Sequence, residues 1–226
     1  MSTNARNLRT RIALAALIAL YAGAASAADR AAEVVTLQGQ ATAASGDGEV
    51  RGLGVGAPVK AGDTVNTNPN TYLRMKFTDG SFVILRPNTR FAIEAFEDTN
   101  SSSDRSVFNL LKGGLRTVTG LLAKRNRAGY QLKSPVATIG IRGTDYELRL
   151  CQGDCSDVEP APPDGAYAVN HSGCADVAND AGSQEMCAGT YIYASGPDGA
   201  PQAISAAQAA PLTVNPIPPA DPADCP

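Results

Sequence analysis

The sequence predicts an all-β protein of short antiparallel and stacked strands, arranged as a β-sandwich or a β-solenoid. Three observations carry that reading. Turn formers are abundant, with 22 glycines and 15 prolines in 226 residues, while aromatics make up 5% and tryptophan is absent. Apolar and polar residues alternate at period two in several short runs, with turn signals between them at intervals of roughly 8–12 residues. Helical periodicity is confined to residues 115–127, where one short helix is expected.

The elements follow in order. Residues 33–38 alternate weakly and open the domain; Gly39 follows, and residues 41–45 are expected to pair back on them. Gly52, Gly54 and Gly56 resemble a phosphate-binding loop only in spacing. No helix or Lys-Ser/Thr follows, so they read as a plain loop. Leu73, Met75 and Phe77 face one side of a strand and Arg74 and Lys76 the other. Asp79-Gly80 is a hairpin turn signal. Residues 82–85 are apolar on both faces, as in a central strand, and Pro87-Asn88 ends it. Phe91, Ile93 and Ala95 resume alternation, residues 100–104 form a polar tip, and residues 107–111 form another strand before Gly113-Gly114. Residues 124–127 read as a basic loop, either an exposed turn or a site for an anionic partner. Tyr130 and Leu132, then Tyr146, Leu148 and Leu150 against Glu147 and Arg149, close the sheet. Two glycines, Gly140 and Gly143, flank Arg142 inside an apolar run, a pattern of bends or close backbone approach.

Several of these stretches resemble one family. Gly62-Asp-Thr-Val-Asn-Thr67, Leu73-Arg-Met-Lys-Phe-Thr-Asp-Gly-Ser81, Leu85-Arg-Pro-Asn-Thr-Arg-Phe91, Lys112-Gly-Gly-Leu-Arg116 and Ser134-Pro-Val-Ala-Thr-Ile-Gly-Ile-Arg-Gly-Thr-Asp-Tyr146 are similar, in the same order, to motifs of the FecR domain. They span about residues 33–150. The resemblance implies an all-β periplasmic module and carries no catalytic residues. It makes Asp79, Gly80, Arg116, Gly140, Arg142, Gly143 and Thr144 the structural motif residues. Arg142 is expected to bond the backbone carbonyls of a neighbouring loop, and Arg116 and Thr144 to serve internal order.

The first 27 residues carry Arg6, Arg9 and Arg11, an apolar run from Ile12, and Ala25-Ser26-Ala27. That order is a secretory signal peptide cleaved after Ala27, or alternatively Ala28, rather than a retained anchor. The 17-residue uncharged stretch is at the short limit for spanning a bilayer, and no membrane span is expected after cleavage. Only 11 residues precede it, too few for the cytoplasmic sigma-binding segment of FecR-type regulators. The expectation is a stand-alone exported domain over residues 28–210. It would comprise the motif core, an acidic Cys-bearing insertion at about 151–188 and a late hairpin at 189–210. A Pro-rich tail, residues 211–226, is expected to be extended or disordered.

Charge divides sharply. Residues 28–149 hold 16 basic and 12 acidic residues, a balance of +4, whereas residues 150–226 hold 10 acidic residues and no Lys or Arg. The acidic part is a solvated appendage, or it folds back on a basic face. A mature charge of −6 without a basic-aromatic patch argues against nucleic acid. All five cysteines lie in the acidic part. In an oxidising periplasm they read as disulfides. The candidates are Cys151–Cys155 and Cys174–Cys187, with a Cys151 or Cys155 bond to Cys187 as the alternative; Cys225 would be free or intermolecular. Zinc is disfavoured, since His171-x-x-Cys174 is the one second ligand pair. Asp154, Asp157, Glu159 and Asp164 match no EF-hand spacing. No metal and no cofactor is expected.

Enzyme chemistry finds no foothold. His171 is the single histidine, no Gly-x-Ser-x-Gly elbow is present, and Asp79-Gly80-Ser81 occurs once where an aspartic dyad needs two such loops. The favoured reading is a non-catalytic interaction or sensing module that recognises an unidentified envelope protein through loops or an added strand. The alternative is a glycan-binding protein of the cell envelope, with Tyr191 and Tyr193 as the stacking residues.

Overall fold

In a computed structural model the described residues are 30–141, 143–213 and 217. The expected signal peptide, Arg142 and Cys225 lie outside them. Among the described residues, no helix is long and apolar enough to cross a membrane.

The strands are β1 (Arg30–Gln38), β2 (Ala41–Ala44), β3 (Val50–Leu53), β4 (Pro58–Lys60), β5 (Thr64–Thr67), β6 (Tyr72–Phe77), β7 (Phe82–Leu85), β8 (Arg90–Glu97) and β9 (Arg105–Lys112). They continue as β10 (Gly114–Val118), β11 (Tyr130–Lys133), β12 (Thr138–Ile141), β13 (Asp145–Cys151), β14 (Gly165–Ser172), β15 (Cys174–Asn179), β16 (Gly182–Cys187), β17 (Tyr191–Ala194) and β18 (Gln202–Ile204). Among the described residues two short α-helices, α1 (Leu121–Arg125) and α2 (Ala210–Thr213), and a 3-10 turn at Arg127–Gly129 accompany the strands.

Two nine-stranded sheets result. Sheet A runs β18-β17-β14-β13-β10-β7-β6-β1-β4, and sheet B runs β16-β15-β12-β11-β9-β8-β5-β2-β3. The chain crosses between sheets after one or two strands, so both sheets grow together from the β3/β4 end to the β16/β18 end. β11 lies parallel to β9, while neighbours such as β6–β7, β10–β13 and β13–β14 pair antiparallel. Of the two expected arrangements, the β-sandwich describes these facing sheets.

Period-two alternation sets the core. Leu73, Met75 and Phe77 of β6, Val83 and Leu85 of β7, and Leu115 of β10 meet Phe91, Ile93, Phe108, Leu110 and Leu132 of sheet B in one buried cluster. The Phe108 ring lies 5.3 Å from Phe77, 5.4 Å from Phe91 and 5.9 Å from Tyr130. Each such side chain contributes about 1.5–3 kcal/mol on burial, which is why this centre tolerates short strands.

Several expectations are corrected. β1 and β2 do not pair; they join different sheets, because Gly39 takes a left-handed turn (φ 100°) against Thr71, whose Oγ1 accepts the Gln40 N–H at 3.0 Å. Gly52 is not loop but part of β3, paired with Thr42. The helix near 115–127 shrinks to α1, because residues 115–118 are consumed by β10 between two partners. Lys124 and Arg125 are thus helical rather than loop residues. The Cys-bearing stretch is no solvated appendage: β14 is an interior strand of sheet A, and β15 and β16 extend sheet B. The start of the expected tail is helical, with Leu212 and Ile217 buried.

Asp79 does more than turn the β6–β7 hairpin. It is 5% exposed, and its Oδ1 accepts from the Ser81 N–H (3.0 Å) and hydroxyl (2.6 Å). Its carbonyl and Oδ2 accept the N–H groups of Leu121 and Leu122 at the start of α1. Gly120 is required there, since a Cβ would lie 2.6 Å from Asp79 O. Asp79→Ala leaves buried donors unpaired and is expected to lower stability by about 1–3 kcal/mol in urea unfolding. A loss no larger than that of an exposed Asp198→Ala control would show that the hairpin holds α1 by other means.

Candidate functional site

The described residues place an unusual concentration of charge on the outer face of sheet A. The alternation that sends Tyr146, Leu148 and Leu150 inward sends Asp145, Glu147 and Arg149 of β13 outward. Arg116 stands opposite Glu147 on β10. Arg116 grips Asp145 with two bonds, Nε to Oδ1 at 2.9 Å and Nη2 to Oδ2 at 2.7 Å. Its Nη1 lies 3.8 Å from Glu147 Oε1. Arg86, just past β7, reaches the other Glu147 oxygen at 3.5 Å, and His171 Nε2 of β14 is 2.9 Å from Oε1. Glu147, 3% exposed, thereby receives groups from three neighbouring segments. Arg149 donates to the carbonyl of Pro211 at 2.7 Å and also pairs with Asp157. Burial of the charged form is costly unless it is paired. Burial is also what pushes Arg86 below its ordinary value, with Arg149 adding to the effect and Glu147 opposing it.

A second apolar cluster covers part of this face. Cys151, Cys155, Tyr167, Val169, Ala209 and Leu212 pack together, with Tyr191, Tyr193 and Ile204 at their margin. The Tyr193 ring is 4.8 Å from Tyr167, and its hydroxyl donates to the Asp164 carbonyl at 2.6 Å. The tyrosines considered for glycan stacking are thus engaged internally. A polar cleft of about 680 Å³ opens beside the network, with Arg86 and Arg149 among its walls.

Residues 63–159 match the family described as FecR protein, somewhat under half of the chain. That segment is similar to the FecR domain. It begins beside the Gly62–Thr67 motif and ends inside the loop after β13, so β14 to β18 lie beyond the matched span while continuing the same sheets. Two crystal structures of a candidate anti-sigma factor from Parabacteroides distasonis ATCC 8503, at 2.50 and 1.65 Å resolution, are similar to the chain at TM-score 0.47 and 12% identity. Each alignment covers 63% of this chain and 59% of that one. No curated protein matches the chain.

The other motif residues fall as follows. Arg116 lies in the network above. Thr144 acts through its backbone: its N–H donates to Thr119 Oγ1 at 2.8 Å and its carbonyl accepts in return. Its own hydroxyl has no hydrogen-bond partner among the described residues. Gly140 lies on β12 with no atom within 4 Å of a notional Cβ, and Gly143 takes φ 85° with its carbonyl against Gly173. Cys151 is bonded to Cys155, and Cys174 to Cys187 across the β15–β16 pair. Arg125 meets Asp98 and Asp104, so that charge is already matched within the fold. Asp157 is held by Arg149, and Asp164 accepts the Gly153 N–H. Among the described residues the one grouping close enough for a metal ion is Cys174, Glu185 and Cys187, whose two sulfurs form the disulfide.

Sequence reasoning placed Glu147 and Arg149 on the outward face but missed Glu147 as the meeting point. It also missed Arg86, which lies inside the motif at residues 85–91. The signal available was the opposite charges of Arg116 and Glu147 on strands that alternation alone could not pair.

Beneath the network, the Tyr130 and Tyr146 hydroxyls share a hydrogen bond of 2.8 Å inside the core. Burial pushes Tyr130 up to about 12 and Tyr146 well above its ordinary value. Unfolded tyrosines titrate near 10. The stabilisation is therefore fully present below pH ~10 and is lost as pH climbs through about 12. Tyrosinate absorbance followed with pH should show a late-titrating fraction that appears together with unfolding, and Tyr130→Phe should reduce that fraction. All tyrosines ionising together near pH 10 in a still-folded protein would contradict the buried pair.

Proposed function

We propose that this protein is a non-catalytic interaction or sensing module of the FecR type, working in the periplasm and engaging an envelope protein. The FecR match, the two disulfides and the signal-like N-terminal sequence support that setting. The observation that carries the interaction reading is the edge strand β3. Its Val50 and the following Val55 are 65% and 70% exposed. Gly52 and Gly54 have nothing within 4 Å of a notional Cβ, so a backbone can approach closely.

The other edges are better guarded. β4 and β18 have three residues each, and β4 begins with Pro58, which has no N–H to offer. β16 carries Glu185 and is tied to β15 by the Cys174–Cys187 bond. An extended partner segment adding to β3 would continue sheet B and bury both valines. The tyrosines suggested for a glycan site pack internally and favour no second reading.

Photo-crosslinkers placed at Val50 and Val55 in periplasmic protein should capture a discrete protein, and one at exposed Ser183 should not. Val50→Lys should lower the yield several-fold while leaving unfolding unchanged within about 0.5 kcal/mol. Equal capture at all three positions would overturn the β3 assignment.

A further inference from the structure

The polar cleft beside the charge network has no role in a strand-adding module, yet it is built as a binding site would be. It crosses the ends of β1, β6, β7, β10 and β13, with a volume of about 680 Å³, within the range of small-molecule sites. Two arginines line it. Arg86 is 4% exposed and Arg149 8%. Both lie across Gly114, where a Cβ would come within 2.9 Å of Arg86 Cδ and 3.2 Å of Arg149 Cγ. Glycine at this position thus permits both side chains to converge. Asn70 and Asn88, held in left-handed turns with φ 60° and 56°, bring amide groups to the rim, and Tyr72 adds an aromatic wall.

The chain itself indicates what this cleft accepts. One residue, Ser156, separates the loop closed by Cys151–Cys155 from Asp157, whose carboxylate rests on Arg149 at the cleft wall. That carboxylate is 36% exposed, whereas the Arg149 side chain is 10% exposed. The acid comes from an exposed loop to a fixed, buried cation, which is the arrangement a ligand carboxylate would reproduce. Burial and the neighbouring Arg149 both push Arg86 down, and an incoming anion would relieve the same unfavourable charge.

We propose that this cleft binds a small carboxylate-bearing ligand, with Arg86 and Arg149 as the anion-holding pair, Asn70 and Asn88 as rim donors and Asp157 as a displaceable internal competitor. Planar guanidinium groups match a carboxylate with paired hydrogen bonds. The site is separate from the β3 edge, so it stands or falls independently of the partner reading.

The test is calorimetric titration of the intact protein with succinate, and separately with inorganic phosphate. Succinate should bind saturably. Asp157→Asn should tighten it about tenfold by removing the competitor. Ser156→Trp, a change at an exposed rim position, should abolish it while urea unfolding stays unchanged, so that loss of binding is not loss of fold. Absence of succinate saturation below ~10 mM in both the wild-type protein and Asp157→Asn would overturn the proposal. Phosphate binding as tightly as succinate would overturn the carboxylate assignment, and binding indifferent to Ser156→Trp would overturn the location.

Discussion

The Glu147 carboxylate is the constraint on which the rest of sheet A depends. It is buried on a strand with neighbours on both sides, so its charge must be answered locally or the strand could not lie there. Arg116 answers from β10, Arg86 from the end of β7 and His171 from β14. One side chain therefore fixes the lateral order of four segments, two of them widely separated in sequence. The apolar core beneath supplies most of the stabilising free energy but is indifferent to a strand shift of two residues. The charges above it are not, because such a shift would put Asp145 or Arg149 opposite Arg116 in place of Glu147.

This arrangement explains why strands beyond the matched family segment belong to the same body. His171 and Asn170 on β14 bond, respectively, to Glu147 and to the carbonyls of Gly173 and Met186. The Pro211 carbonyl closes on Arg149. The acidic half of the chain thus does fold against basic residues, though through Arg149 of sheet A and Lys112 at the end of β9 in sheet B rather than through a broad complementary face. The two disulfides hold segments with few large apolar residues of their own: one forms a small loop at the cleft, and the other staples an edge hairpin.

Much of the fold was legible because it rests on local rules. Alternation at Leu73, Met75 and Phe77 identified a buried face, Asp79-Gly80 identified a hairpin, and four uninterrupted apolar residues at 82–85 identified an interior strand. What failed was long-range. Gly39 reads as an ordinary break, but whether the chain turns back on itself or crosses to the facing sheet is decided by Thr71, 32 positions away. The strands of the acidic insertion were not legible because they bury small side chains such as Ala166, Ala168 and Ala175, which carry little hydrophobic signal. Thr144 is one of the residues of the motif, but the hydrogen bonds it makes come from its backbone, which residue type does not reveal. The charge network was half legible: outward positions could be assigned, but not which strand would lie beside which.

Glu147→Gln tests this account most directly, because it keeps the shape of the side chain and removes only its charge. Urea unfolding of the variant against wild type should show a loss of about 3–5 kcal/mol in a single transition, as expected when Arg86 loses its buried counter-charge and Arg116 keeps only Asp145. A loss within about 0.5 kcal/mol, or a separate early transition confined to the strands after β13, would contradict the claim that this carboxylate ties the two halves of sheet A together.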